Sequence, residues 1–215
     1  MRHHTITYLL FFLLVIGSCR PPQLKNVFDY GSVEDGLYMN EFFGCSLSLP
    51  AGWAVQTREE MEQLQNLGKD MITGKDKKLK RKLKTSEIRS ANLITVFKYK
   101  LGTVVEFNPN ISIVAENIRY SPGIKSGADY LNHSRELLKQ SQFKYDSISA
   151  RFDQADFSGI VFSRMFTSVN YMGIPIKQEY YSTIINGFSF NMVISYSNEE
   201  QRNELHGILE TLKFE

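Results

Sequence analysis

The chain has 215 residues, 42% of them hydrophobic and 22% charged, and a net charge of +2. A protein this close to neutral lacks the field of a dedicated nucleic-acid binder. Its two cysteines leave no room for a disulfide framework.

Met1-Arg2-His3-His4 gives a short basic start, and Ile6 to Ile16 follow as a hydrophobic run diluted only by Thr7 and Tyr8. That run falls well short of the ~20 apolar residues that span a bilayer and suits the core of an export signal. It ends in Val15-Ile16-Gly17-Ser18-Cys19, an aliphatic residue and two small ones before a cysteine, which is the lipobox pattern. Residues 1–18 are expected to be removed as a signal peptide. Cys19 then becomes the lipid-bearing N-terminus, carrying diacylglycerol and acyl chains such as palmitate. Each buried CH₂ contributes ~0.8 kcal/mol, so two or three chains hold permanently where one does not. The expected location is therefore the bacterial cell envelope, lipid-anchored and extracytoplasmic, with the outer membrane favoured over the inner. Arg20-Pro21-Pro22-Gln23 continues as an extended tether, and residues 19–40 read as linker.

About 200 residues remain after cleavage, enough for one domain with its own core. Phe43, Cys45, Leu47 and Leu49 alternate with Gly44, Ser46 and Ser48, the period of a half-buried strand. Pro50-Ala51-Gly52-Trp53 stops it. Thr57 and Glu60 form a capping box, opening a helix with Met61, Leu64, Gly68 and Met71 on one face. Residues 72–90 are a basic insert, helical or loose. Ala91 to Lys100 and Ile111 to Ala115 read as strands. Ser126 and Asp129 start a second helix with Leu131, Leu137 and Leu138, ending near Ser141. Strands are expected at Phe143 to Phe152, Phe157 to Val169 and Ile174 to Ile185. Asn186-Gly187 is the favoured two-residue hairpin turn, leading into Phe188, Phe190, Met192, Ile194 and Tyr196. A last helix, Ser197 to Phe214, opens on a Ser197/Glu200 box. About seven strands, three or four helices and the hairpins of the last third indicate an α+β domain over residues 41–215, an antiparallel sheet with helices packed on its faces.

Two segments carry a family likeness. Phe43-Gly44-Cys45-Ser46-Leu47-Ser48-Leu49-Pro50-Ala51-Gly52-Trp53 has the form strand, proline, glycine, tryptophan, and Asn186-Gly187-Phe188-Ser189-Phe190 leads into the terminal helix. Bracketing a domain this way resembles the PsbP-like superfamily, which includes extrinsic photosystem II subunits, a Ran-GTPase release factor and many bacterial lipoproteins. The resemblance implies an α/β/α sandwich and a binding or assembly role. It transfers no metal ligand, and the basic insert departs from the family pattern.

Candidate chemistry is sparse. Lys75, Lys77, Lys78, Lys80, Arg81, Lys82 and Lys84 crowd one stretch, opposed only by Asp76. Lys77, Lys78, Lys80, Arg81 and Lys82 are candidate contacts to an anionic surface, each worth about 1 kcal/mol beside charged headgroups; the competing reading is a solvated segment. No aromatics interleave, which argues against single-stranded nucleic acid. Cys45 shares the apolar-facing positions of its strand and reads as core. His133 and His206 stand alone, without an HExxH motif or cysteines at ligand spacing. Glu59, Glu60, Glu62, Glu199 and Glu200 occupy first helical turns, where the macrodipole favours acids. Trp53, Tyr180 and Tyr181 read as core aromatics rather than a pocket lining.

The expected function is a membrane-tethered, non-enzymatic binding or assembly factor, with no metal or cofactor and no nucleic acid. Its partner would be an envelope protein or an anionic envelope component. The alternative is a small-molecule or lipid carrier with a closed apolar pocket of several hundred Å³ between sheet and helices; a binding factor would instead show an exposed apolar or charged patch and no deep cavity. A hydrolase built on His133 or His206 is the third class.

Overall fold

The computed structural model describes residues 28–87 and 89–215. The expected signal peptide, Cys19 and the first part of the tether lie outside the described residues. In chain order the strands and helices are β1 (Ser32–Glu34), β2 (Leu37–Asn40), β3 (Cys45–Ser48), β4 (Ala54–Val55), α1 (Arg58–Thr73), α2 (Lys77–Glu87), β5 (Ser90–Phe97) and β6 (Asn110–Asn117). They continue as α3 (Gly127–Lys139), β7 (Ser147–Ile148), β8 (Asp153–Phe157), β9 (Ile160–Tyr171), β10 (Ile174–Ile185), β11 (Phe188–Tyr196), α4 (Glu199–Leu209) and β12 (Lys213–Phe214).

Every strand pairing is antiparallel. An eight-stranded sheet runs β4-β5-β6-β11-β10-β9-β7, with β8 also on β9, and a four-stranded sheet runs β1-β2-β3-β12. The expected α+β class, helices on an antiparallel sheet, is what the chain forms.

Local chemistry explains the long hairpins. Asn186 and Gly187 sit at φ +51° and +79°, the two positive values of the turn whose twist matches its flanking strands. The same geometry recurs at Ser158-Gly159 and Met172-Gly173. Thr57 caps α1 as expected, its hydroxyl accepting from the Glu60 N–H while the Glu60 carboxylate accepts from the Thr57 N–H at 2.8 Å. Ser126 caps α3, its hydroxyl accepting from the Asp129 N–H, while the Asp129 carboxylate accepts from the Lys125 N–H at 3.1 Å.

The core lies mainly on one face of the large sheet. Ile111, Ile113, Phe190, Met192 and Ile194 pack there against Leu47 and Cys45 of the small sheet and Leu205 and Leu209 of α4. On the other face lie α1, α2 and α3, and three large buried apolar side chains of the described residues, Leu79, Leu131 and Met165, stand outside the main cluster. The core is therefore thick under α4 and thin under the other helices.

Several expectations are corrected. Residues 28–40 are no tether: β1 and β2 form a hairpin, and Tyr38 is 1% exposed, its hydroxyl donating to the Tyr30 carbonyl at 3.0 Å. Burying that ring repays the ordering of the segment. Phe143 to Phe152 supplies only the short β7, and the stretch from Phe157 breaks at the Ser158-Gly159 turn into β8 and β9. The last helix is capped by Asn198, not Ser197, whose N–H and hydroxyl both donate to Gln201 Oε1. It stops at Leu209, because Leu212 and Phe214 continue at period two into the core and β12 pairs with β3. The strands number twelve among the described residues.

Candidate functional site

The thin face of the sheet holds a groove. α3 lies over β9 and β10, whereas α1 and α2 lie over β5, so the central strands β6 and β11 floor the space between the two helical units. Val114, Asn191 and Val193 form the floor, with Leu83 on one wall and Tyr130 and Leu131 on the other. This chamber measures about 390 Å³. A second chamber of about 350 Å³ adjoins it between Leu138, Phe143, Tyr171 and Ile176. Gly68, Ile72 and Tyr180 line both, so the two make one elongated trough of predominantly hydrocarbon surface.

Gly68 is the informative residue. It sits inside α1, where glycine costs about 1 kcal/mol relative to alanine. A Cβ built there meets no atom within 4 Å, so no close backbone approach requires the missing side chain. What the glycine provides is space at the junction of the two chambers. Gly127 is the contrasting case: its Cβ would come within 1.9 Å of the Ser182 carbonyl oxygen, and the absent side chain seats α3 against β10.

Hydrogen bonds tie the walls together at both ends. Glu116 Oε2 on β6 accepts from Ser86 Oγ of α2 at 2.8 Å and from the Tyr130 hydroxyl of α3 at 2.9 Å. Burial, reinforced by the Glu116 charge, holds the Tyr130 phenol well above its ordinary pKa. Just past the end of α3, Gln142 N–H donates to the Ile72 carbonyl in the last turn of α1 at 3.0 Å, its side-chain amide donates to the Met71 carbonyl, and Lys82 of α2 donates to Gln140 Oε1 at 2.9 Å. Polar groups on the floor are bonded to one another. Asn191 and Ser189 exchange two hydrogen bonds, and the Tyr180 hydroxyl donates to Gln178, which donates on to Ser195. Such a floor makes few directional demands on an occupant.

A second polar cluster sits on the opposite face. Glu179 of β10 is 0% exposed and accepts from Tyr181 at 2.6 Å, Tyr196 at 3.0 Å and Arg202 Nε at 2.7 Å. His206 Nε2 lies 3.1 Å from the same carboxylate, and Arg164 stands 3.9 Å away. Burial alone would raise the Glu179 pKa; the bonds from His206, Tyr181 and Arg202 together outweigh it and hold the group down to about 2. With hydrogen bonds on both oxygens and no exposed surface, this carboxylate fastens α4 to the sheet.

The residues singled out from sequence scatter. Lys77, Lys78, Lys80, Arg81 and Lys82 lie on α2, which is helical throughout, with Leu79 of that helix buried. Cys45 is buried in the main core, and burial, with the Asp29 carboxylate adding to it, pushes its thiol up to about 12. His133 is exposed on α3, far in role from His206, which joins the Glu179 cluster. Tyr181 is core as expected, whereas Tyr180 lines the groove. Met71, expected on the buried face of α1, is 40% exposed. Gly68 and Glu179 were missed as residues of consequence. A charged residue at a core-facing position of a strand was the available signal for Glu179. Among the described residues no cluster of His, Cys, Asp and Glu could hold a metal ion, and no helix is long and apolar enough to cross a membrane.

No family model and no curated protein matches the chain. Among solved structures it is similar to LpqN, described as involved in cell envelope biogenesis of Mycobacterium tuberculosis, at 13% identity over 79% of this chain and 82% of that one, with a TM-score of 0.44. It is similar to a protein of Bacteroides thetaiotaomicron VPI-5482 at 12% identity over 80% of this chain and 45% of that one, TM-score 0.38. It is also similar to cyanobacterial PsbP from Synechocystis sp. PCC 6803 at 11% identity, over 86% of this chain and 96% of that one, TM-score 0.46. The likeness is one of fold, and no residue role passes from it.

Proposed function

We propose that the chain is a non-enzymatic, lipid-anchored binding protein of the bacterial cell envelope, and that its ligand is an elongated apolar molecule, a single acyl chain or its like, held in the groove between β6, β11 and the helices. Of the two main readings the sequence leaves open, binding or assembly factor and carrier, the groove's volume and hydrocarbon lining support the carrier, although it is an open trough where a closed pocket was expected. The observation that carries this is Gly68: a mid-helix glycine with open space where its side chain would be, at the junction of two hydrocarbon-lined chambers. Chambers of this size lie within the range of small-molecule sites, and each CH₂ buried in them contributes ~0.8 kcal/mol. Mutual pairing of the floor's polar groups supports holding over chemistry, and the Glu116 carboxylate at the groove's end is shared between Ser86 and Tyr130, which uses it to join the walls. The anchor rests on the lipobox, and mass spectrometry of the processed protein tests it: the product should begin at Cys19 and carry acyl chains.

A fluorescent fatty-acid probe, titrated into the chain and counted by native mass spectrometry, tests the groove. One probe per chain is expected. Gly68→Phe should weaken binding at least tenfold while leaving the folded state intact by circular dichroism. Probe affinity unchanged by Gly68→Phe would remove the groove as the site.

A further inference from the structure

The groove uses the inner face of α2, where Leu79 is buried and Leu83 lines the wall. The outer face is a separate feature. Lys77, Arg81 and Lys84, spaced four and three residues apart, share one line on the helix. Lys78 and Lys80 flank it. Lys80 pairs with Asp70 of α1 at 2.7 Å and Lys82 donates to Gln140. Among the described residues Lys77, Lys78, Arg81 and Lys84 enter no ion pair.

This arrangement works against the helix that carries it. Like charges three and four residues apart repel. Lys77 and Lys78 also stand in the first turn, which holds no acidic residue and where the macrodipole disfavours cations. Asp76 offsets part of this, its carboxylate accepting from the N–H groups of Lys78 and Leu79 at 2.8 and 2.9 Å. Positions that break local rules with no gain inside the fold are those set by something outside it. Beside them on α1, Leu67 is 62% exposed and Met71 40% exposed, flanking the Asp70 to which Lys80 is bonded.

We propose that the outer face of α2 docks on an anionic phospholipid bilayer, with Lys77, Lys78, Arg81 and Lys84 among the headgroups and Leu67 and Met71 entering the boundary beneath them. Cations joined to exposed apolar side chains are the chemistry of an interfacial helix. Lysine predominates in the patch, and its mobile point charges suit a fluid array of headgroups. Stacking on bases needs aromatics, and none lies between Lys75 and Lys84. The basic line of α2 lies apart from the groove and acts whether or not the groove is filled; Met71 alone belongs to both, since it also lines the second chamber.

The test uses the chain from residue 19 onward with Cys19→Ser, so that no acyl anchor contributes, and vesicles of phosphatidylcholine with and without phosphatidylglycerol. Binding should require phosphatidylglycerol and weaken steeply between low and 0.3 M salt, as screening demands (a Debye length of about 10 Å already at 0.1 M). Lys77→Gln, Lys78→Gln, Arg81→Gln and Lys84→Gln combined should lower affinity about a hundredfold or more. Glutamine keeps helix propensity, so circular dichroism should be unchanged. Leu67→Ala, at the apolar residue of the patch that lines neither chamber, should weaken binding several-fold and leave the salt slope as it was. Equal binding to neutral vesicles, full affinity in the glutamine variant, or tighter binding to a single-stranded oligonucleotide than to the anionic vesicles would each overturn the proposal. Gly68→Phe, which blocks the groove, should leave vesicle binding untouched, so the two sites stand or fall separately.

Discussion

Arg202 on α4 donates its Nε proton to Glu179 Oε1 on β10 across 2.7 Å, and the carboxylate that receives it has no exposed surface. Tyr181, Tyr196 and His206 converge on the same group from β10, β11 and α4. Removing the charge therefore orphans donors from three elements at once. Glu179→Gln should destabilise the fold by about 2–3 kcal/mol at neutral pH, less than a fully buried pair would lose because Arg202 and His206 keep partial access to water. The pKa falls from 4.5 to about 2 on folding. A carboxylate depressed in the folded state contributes fully above pH ~4.5, and that contribution is lost as pH falls towards 2. Urea unfolding at a series of pH values should show wild-type stability declining through this window. Glu179→Gln should be flatter there, and parallel profiles would contradict the account.

Gly68→Ala fills none of the groove beyond one methyl and meets nothing within 4 Å. It should raise stability by about 1 kcal/mol, through helix propensity and a stiffer unfolded chain. Thermal denaturation measures this as a rise of roughly 2–4 °C for a chain of this size. A loss of stability would mean that the apparent space at Gly68 is occupied, and the groove with it.

Cys45 is buried, and its thiol is pushed up to about 12. Only the thiolate reacts at a useful rate. A chromogenic disulfide reagent at pH 8 should leave Cys45 unmodified in the folded chain and label it on unfolding in guanidinium. Rapid labelling of the native protein would displace Cys45 from the core between β3 and the large sheet.

Features with local causes were legible in the sequence. Thr57 with Glu60, Ser126 with Asp129, and Asn186-Gly187 each act within four residues, and each is where it was expected. The alternation of Phe43, Cys45 and Leu47 likewise points into the core. Errors came where the next alternating residues belong to a different element, as at Leu212 and Phe214, which prolong the apolar spacing of α4 while turning into a strand. Glu179 was invisible because its partners lie at positions 164, 196, 202 and 206, joined only when β9, β11 and α4 close around β10. The groove depends on where two helical units settle across a sheet. No periodicity in α1 distinguishes a glycine facing space from one facing a neighbour.

Lys77 gives the sharpest separation between stability and surface binding. Placed in the first turn of α2, a glutamate would meet the favourable end of the macrodipole and stand four residues before Arg81, the better orientation for a helical ion pair. Lys77→Glu should therefore slow amide exchange across α2, read by hydrogen–deuterium exchange of peptides covering that helix. The same change replaces a cation with an anion on the outer face, so affinity for phosphatidylglycerol vesicles should drop by more than that of Lys77→Gln. A wild-type helix that is less protected than its variant, yet binds the bilayer better, is what a face shaped by headgroups requires. If Lys77→Glu lowered protection, the lysine would be stabilising α2 from within the fold, and its repulsion with Arg81 could no longer be read as a cost borne for an outside partner.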